Sequence, residues 1–519
     1  MKQVGKMCVG LLIGTVCSAF GQTPLLPKVY AIVGAKIEIG DGKTISKGTV
    51  VVRDGRIEAV GENVKPPADA EIIEGAGLTV YPGFVDSFSS TALKLPDAQP
   101  IQDTPFDPIA SSSPSMREAN RKGVRPELKA VDYFLPTDAS VLSARKSGFV
   151  VQLLSPSGSL MSGQAGLVTL SGKPRRESVM KPVVGEVFGF NMGRSAERGY
   201  PATNLGYFAH VRQTLLDARR FQSQKAAYAK NKGMDRPPYD EVLTDLQPVL
   251  DGQIPALFEA ENQNDIYRVL RFAQEFGMKP ILVGGGEAYK DVETLAKGQV
   301  PVLLSLNFGK EPGAKPEKVT RPVIDPTRPG VKPAVKPGEK PVEKPVSPDD
   351  VQKPKPPQGE IKEDKDESEV EKAKDEGEES DVPKAATEER KRKWNEKVAG
   401  ASTLSKAGVL FAFTTKGVKT PAEFFTNLRR AVKAGLPREA ALRALTSSPA
   451  AIFGVSDLMG TITPGKAAFL TVMTGDFLEE KSKVKFLLID REKIEPDKDK
   501  SAVPTRPTRL PQTDEFDPH

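Results

Sequence analysis

Between residues 254 and 306 three short apolar runs alternate with two polar, helix-like segments. The runs are Ile254-Pro255-Ala256-Leu257-Phe258-Glu259-Ala260-Glu261, Lys279 to Gly286 and Val300 to Leu306. Asn262 to Phe276, capped by Asn262 or Asn264, and Glu287 to Ala296 lie between them. Strand–helix alternation at this spacing predicts parallel strands joined by right-handed crossovers, a strong restriction on the fold. The rhythm recurs elsewhere. Asp138 to Ser147 reads as a helix with Asp138 at its N-cap, followed by strands at Gly148–Leu154 and Ser162–Leu170. Helices are expected over Asn204–Lys230, Tyr239–Leu250, Ala422–Ala434 and Arg438–Leu445, and a strand over Gly408–Gly417. Val80 to Ser90 is an apolar run after the breaker Pro82-Gly83, ending in small polar residues: a buried strand entering a loop.

The chain before residue 80 reads as short strands. Tyr30–Ile37 is one, and Gly48–Val52 and Arg56–Gly61 flank Arg53-Asp54-Gly55. Asp-Gly between apolar runs is a hairpin signal, because both turn positions need positive φ. Residues 94–130 are polar and read as a long loop. Residues 310–396 carry repeated Lys-Pro pairs and then a Glu/Lys/Asp-rich half, with no aromatic before Trp394. Such a composition buries too little apolar surface to offset its ordering entropy. It predicts a disordered insertion, helical near Glu388–Lys397, serving as an inert linker or a binding tether. The tail from about 495 has the same character.

Lys2 and Lys6 precede an apolar stretch, Met7 to Phe20, that is short for a bilayer span, with a cleavage site near Ala19-Phe20-Gly21. This reads as a secretory leader over 1–21 and predicts export to the periplasm or medium. Val16 before Cys17 argues against lipidation. The two cysteines, Cys8 and Cys17, both fall in the leader, so the mature chain would carry no disulfide and no thiol nucleophile. The two histidines, His210 and His519, exclude a metal site of three or four His or Cys ligands. His210 has no second histidine at i+4. The net charge of +6, reduced to +4 without Lys2 and Lys6, is spread along the chain and does not point to nucleic acid. Ser155 and Ser157 lie in no Gly-x-Ser-x-Gly elbow, and Gly284-Gly285-Gly286 lacks the Gly-Lys-Ser/Thr of a phosphate loop, so it reads as a tight turn.

Several segments, in order, resemble the amidohydrolase superfamily, in its imidazolonepropionase-like branch. Pro82-Gly83-Phe84-Val85-Asp86-Ser87-Phe88-Ser89-Ser90 resembles the first barrel strand, Pro-Gly-apolar-apolar-Asp-x-His-x-His. Ser162-Gly163-Gln164-Ala165-Gly166 resembles the Gly-Gln-Gly block, making Asp86, Gly163, Gln164 and Gly166 candidate pocket residues. Thr446-Ser447-Ser448-Pro449-Ala450 and Gly460-Thr461-Ile462-Thr463-Pro464-Gly465-Lys466 resemble the closing signature. The resemblance implies an α/β fold: a (β/α)8 TIM-type barrel over 81–309 and 400–459, with a small β-sandwich built from both chain ends, 28–80 and 460–494. The insertion then covers 310–399 and the disordered tail 495–519.

The family hydrolyses non-peptide C–N bonds with a water bound to a divalent metal such as zinc. The positions matching its ligands here hold Phe88, Ser90, Glu259 and Glu261, Gly284 and, at the aspartate position, Lys416. Phe has no lone pair, Gly has no side chain, and a protonated Lys repels a cation. No metal or other cofactor is expected, and no catalytic residue is assigned. Glu259 and Glu261 share a strand face, so Lys416 could neutralise them and an ammonium–carboxylate cluster could stand in for the metal. The alternative is that both carboxylates face solvent. Three functions follow: an exported metal-free pseudoenzyme acting in binding or assembly, with an intact relative or a small molecule as partner; a working hydrolase using Glu259, Glu261 and Asp86 around a hard cation; or an envelope ligand-binding or structural protein that uses the insertion. Neither nucleic acid nor a membrane span after leader cleavage is expected.

Overall fold

The computed structural model describes residues 28–96, 122–190, 201, 203–231, 233, 235–313 and 384–498. The leader with Cys8 and Cys17, His519, the tail beyond residue 498 and most of the 310–399 insertion lie outside the described residues. The chain divides into one unit of 1–309 with 395–519, and a second of 310–394. In the second, residues 310–313 and the start of a helix, Lys384–Lys406, are described. That helix is longer than the Glu388–Lys397 segment expected, extending into residues such as Val398, Ala401 and Leu404 that are buried in the first unit.

The first unit holds two eight-stranded sheets. One is drawn from both ends of the described chain: β1 (Val29–Glu38), β2 (Thr44–Arg53), β3 (Arg56–Gly61), β4 (Glu71–Glu74) and β5 (Thr79–Pro82), with β14 (Leu470–Met473), β15 (Val484–Ile489) and β16 (Glu492–Ile494). Its order is β16-β15-β14-β5-β1-β2-β3, with β4 on β1. The expected β-hairpin is present between β2 and β3, and Asp54 and Gly55 both have positive φ, 50° and 76°. The two ends of the chain are joined by the antiparallel ladder of β5 on β14, running from Leu470↔Pro82 to Met473↔Thr79. Ile32, Ile37, Val50, Val80, Leu470, Val472 and Leu488 form its buried core. A sandwich was expected, and the composite origin is seen, but all eight strands belong to one paired sheet.

The second sheet carries the mouth described below. It comprises β6 (Phe84–Ser89), β7 (Phe149–Leu154), β8 (Met161–Thr169), β9 (Val179–Phe188), β10 (Ala256–Ala260), β11 (Pro280–Gly284), β12 (Val302–Ser305) and β13 (Phe411–Thr414), paired in that order. β6 is parallel to β7, and β9 to β13 are mutually parallel. β8 is antiparallel to both neighbours. This corrects the all-parallel expectation: only residues 155–160 separate β7 from β8, too few for a crossover. β9 is absent from the reading of the sequence because Lys181, Pro182 and Glu186 interrupt its apolar pattern. Among the described residues no ladder joins β13 to β6, so the eight strands do not close by backbone pairing. Side chains bridge the seam instead. Thr414 Oγ1 donates to the Phe88 carbonyl, and the Thr415 N–H donates to Asp86 Oδ1 at 3.0 Å.

Helices cover the outer face. Gln263–Phe276 begins at Asn262, whose side chain accepts from the Asp265 N–H, and ends at Gly277 in the left-handed region. It buries Ile266, Val269, Phe272, Ala273 and Phe276. Phe258 of β10 and Phe188 of β9 meet in a tilted ring pair with centroids 5.0 Å apart. Helices Ala139–Lys146, capped by Asp138, and Asn204–Lys230 lie where expected. Two expected helices are broken: 239–250 splits into Glu241–Asp245 and Gln247–Leu250, and 287–296 into a 3-10 turn, Ala288–Lys290, and Val292–Lys297.

Candidate functional site: the mouth at the strand ends

The carboxyl ends of β6, β10, β11 and β13 lie side by side, because these strands run in parallel in one sheet or face across its seam. They position Asp86, Phe88 and Ser90; Glu259 and Glu261; Gly284; and Thr415 and Lys416. A cavity of about 500 Å³ opens here, lined among others by Asp86, Phe88, Ser90, Thr415, Lys416 and Lys419. Its outer wall is the first turn of Ala139–Lys146 and the Thr420-Pro421 start of Pro421–Lys433. The lining is rich in hydroxyls: Ser89, Thr91, Ser140, Ser143 and Ser157 also face it.

Phe88 is buried at the strand end, with the Lys416 ammonium 5.6 Å from its ring centroid. Lys416 Nζ is also 2.5 Å from Glu259 Oε2, and the two side chains are 24% and 13% exposed. So Lys416, at the end of the last strand, meets a carboxylate from β10 across the sheet interior. The other Glu259 oxygen, Oε1, is buried without a hydrogen-bond partner among the described residues.

Glu261 takes a different course. It lies one residue past β10 and is exposed as a residue, but its carboxylate folds over the backbone of β11. Gly286 N–H donates to Glu261 Oε2 at 3.2 Å, and a Cβ built on Gly284 would sit 2.2 Å from Glu261 Oε1. Gly284 also has φ of +96°. Glycine is therefore required there on two counts: conformation, and the space the carboxylate occupies. Loss of solvent raises the Glu261 pKa, and the nearby Lys416 and Lys397 ammoniums oppose the rise. Lys397, from the helix that follows the insertion, has its Nζ 3.4 Å from the built Cβ of Gly286. Two carboxylates and two ammoniums thus converge at the ends of β10, β11 and β13.

Asp86 is buried and bridges the seam. Its Oδ2 accepts from Thr415 Oγ1 at 2.5 Å, and its Oδ1 accepts from the Thr415 N–H at 3.0 Å and the Phe88 N–H at 3.5 Å. Burial pushes its pKa up to about 6, against the lowering effect of these donors.

Of the positions singled out from sequence, Asp86, Phe88, Ser90 and Lys416 come together in the cavity. Glu259 joins them through Lys416, while Glu261 and Gly284 pack on each other beside them. Gly163, Gln164 and Gly166 do not line the cavity. They lie in β8 against residues 125–131 and 181–182: Gln164 Nε2 donates to the Pro126 carbonyl at 3.0 Å, and a Cβ on Gly163 would meet Leu128 O at 2.4 Å. The block is a packing surface. His210 is buried in its helix and does not line the cavity either. Thr415 and Lys397 are the residues the sequence reading passed over. Nothing in the chain marks Thr415 as the partner of a residue more than three hundred positions earlier.

The amidohydrolase family model matches residues 361–495. The fold matches an amidohydrolase from Thermotoga maritima MSB8 with a TM-score of 0.64 and 24% identity, over 89% of this chain and 99% of that one. The chain thus shares the fold of that amidohydrolase and carries a partial match to the amidohydrolase family model. Weaker matches include a Xaa-Pro dipeptidase with bound methionine (TM-score 0.48, 15% identity, 90% of this chain and 100% of that one) and molinate hydrolase (0.48, 13%, 94% and 99%). No curated protein matches in sequence. No group of three or more His, Cys, Asp or Glu among the described residues is arranged to hold a metal ion.

Proposed function

We propose that this chain is a member of the amidohydrolase family and a metal-free pseudoenzyme that has kept the family's mouth as a small-molecule binding pocket. The single observation that carries this reading is the 2.5 Å pair between Lys416 Nζ and Glu259 Oε2. By resemblance, Lys416 stands at the aspartate position and Glu259 at a histidine position of the family's metal site. An ammonium between them supplies the positive charge that the cation would otherwise bring. The donor chemistry of the remaining positions points the same way. Phe88 and Gly284 offer no lone pair, and the space beside Gly284 is taken by the Glu261 carboxylate. With Lys397 and Lys416 balancing Glu259 and Glu261, the group is neutral overall, leaving little electrostatic gain for a divalent ion. The residues present do not fit zinc, and no step through a metal is drawn.

In this reading the second sheet is a barrel-type sheet whose seam is closed by Asp86, Thr414 and Thr415, and the composite sheet is the smaller domain that accompanies it. The basic n-region and apolar Met7–Phe20 support export, and an intact relative is the natural assembly partner. Among the described residues no helix is long and apolar enough to cross a membrane. The test is elemental analysis and zinc and manganese titration of the purified full chain, alongside Glu259→Gln. Sub-stoichiometric metal and no saturable uptake are expected. A tightly held ion at one per chain that is lost in E259Q would overturn the reading in favour of a working metallohydrolase.

A further inference from the structure

One pair of groups at the mouth has no role so far beyond closing the seam. Asp86 Oδ2 and Thr415 Oγ1 are 2.5 Å apart, and both residues line the 500 Å³ cavity. Thr415 is half-buried, so its hydroxyl borders space that a ligand can enter. Asp86 cannot rotate away, because Thr415 N–H and Phe88 N–H hold its other oxygen. The neighbouring Lys416 lines the same cavity, and its ammonium is paired with Glu259. A hydroxyl donating to a fixed carboxylate beside a cation, in a cavity large enough for a small molecule, is the arrangement of an activated nucleophile, its base and an electrostatic stabiliser.

We propose that Thr415 is a nucleophile, with Asp86 as its base, for metal-independent acyl transfer from small activated acyl compounds entering this mouth. The Thr415 oxygen attacks the acyl carbon and forms a C–O ester bond. The hydroxyl proton passes to Asp86 Oδ2, and the bond from the acyl carbon to the leaving group breaks with its electron pair going to that group. Lys416 faces the negative charge that gathers on the acyl oxygen. Asp86 then releases that proton to bulk water, accepts a proton from the water that attacks the ester carbon, and passes it to the departing Thr415 oxygen, restoring the pair and releasing the acid. An aspartate accepting a hydroxyl proton as the oxygen attacks is established chemistry in phosphoryl transfer. The lift of Asp86 toward pH 6 suits it to the task, since a base works best near the ambient pH.

This activity rests on the metal-free reading of the mouth, where pseudoenzyme refers to loss of the metal-dependent hydrolysis alone; the two fail separately, metal content deciding the first and the site of acylation the second. The probe is p-nitrophenyl acetate, applied to the full chain with digestion and tandem mass spectrometry. Acetylation at Thr415 is expected, with a rate that rises as pH passes through about 6. Thr415→Val and Asp86→Asn should each lower that rate by roughly 100-fold or more, while Thr415→Ser retains labelling, now on the serine. Asp86→Asn keeps acceptor and donor atoms at the seam, so a folded D86N that does not label at Thr415 separates chemistry from structure. Adducts confined to lysines and the N-terminus, with Thr415 unmodified, would overturn the proposal. So would D86N labelling Thr415 at the wild-type rate.

Discussion

Asp86→Asn tests the energetics of the seam directly. The carboxyl is buried, and its pKa stands at about 6 against 3.8 for a free aspartate. The folded state therefore holds the proton more tightly than the unfolded state does. By linkage, stability from this group is fully present below pH 3.8 and is lost as pH rises through 6. The gap of about 2 units corresponds to roughly 3 kcal/mol of stability missing at pH 7 relative to pH 3. Asparagine cannot ionise, yet its Oδ1 can still accept from the Thr415 N–H, and its Nδ2 can donate to Thr415 Oγ1. The variant should thus match the wild type near pH 4 and exceed it by about 2–3 kcal/mol at pH 7.5, seen as a higher urea midpoint at unchanged slope. Other buried carboxyls with raised pKa values, Glu186 among them, titrate in both proteins, so the difference between the two curves isolates Asp86. If D86N is less stable than wild type at pH 7.5, or the difference does not change with pH, Asp86 is ionised at no cost and the reasoning fails.

Lys416→Met removes the ammonium but keeps much of the stem. It leaves the mostly buried Glu259 carboxylate unpaired, at an expected cost of about 1–3 kcal/mol, below the fully buried range because Lys416 retains some solvent. Unchanged stability in urea would count against the charge cluster. The double variant Lys416→Met with Glu259→Gln should recover part of that loss, measured as a coupling energy in a double-mutant cycle. Gly284→Ala forces a Cβ against Glu261 at φ +96° and should destabilise by about 1–3 kcal/mol. Adding Glu261→Gly should relieve the steric part while the backbone strain remains, which thermal melts would show as partial rescue. Gly284→His, a reversion toward the family pattern, should be destabilised likewise and gain no zinc affinity by calorimetric titration.

Much of this was legible from one chain because the signals were local. Strand–helix alternation over 254–306, the Asp54-Gly55 turn and the Asn262 cap each depend on residues within a few positions of one another, and the structure follows them closely. The resemblance of Pro82–Ser90 and Thr446–Lys466 pointed to the same fold for a similar reason, since each motif is contained in a few neighbouring residues. The failures had physical causes. β9 was hidden because its apolar pattern is broken by Lys181 and Pro182, tolerated where β9 leaves full pairing with β8. Gly163, Gln164 and Gly166 pack away from the cavity, and their motif does not say which face of a strand it presents.

The chemical groups at the ligand positions are legible in the chain without coordinates: Phe88, Ser90, Glu259, Glu261, Gly284 and Lys416 can be named, and their lone pairs and charges argue against zinc. What those groups do to one another was decided only in the folded chain. Lys416 pairs with Glu259 because parallel strands bring β13 and β10 to one mouth. Glu261 lies over Gly284 because β10 and β11 are adjacent in register. Thr415 meets Asp86 because the first and last strands of the sheet face each other without a ladder. Such contacts rest on distances between residues tens to hundreds of positions apart, which local pattern does not encode and tertiary packing sets.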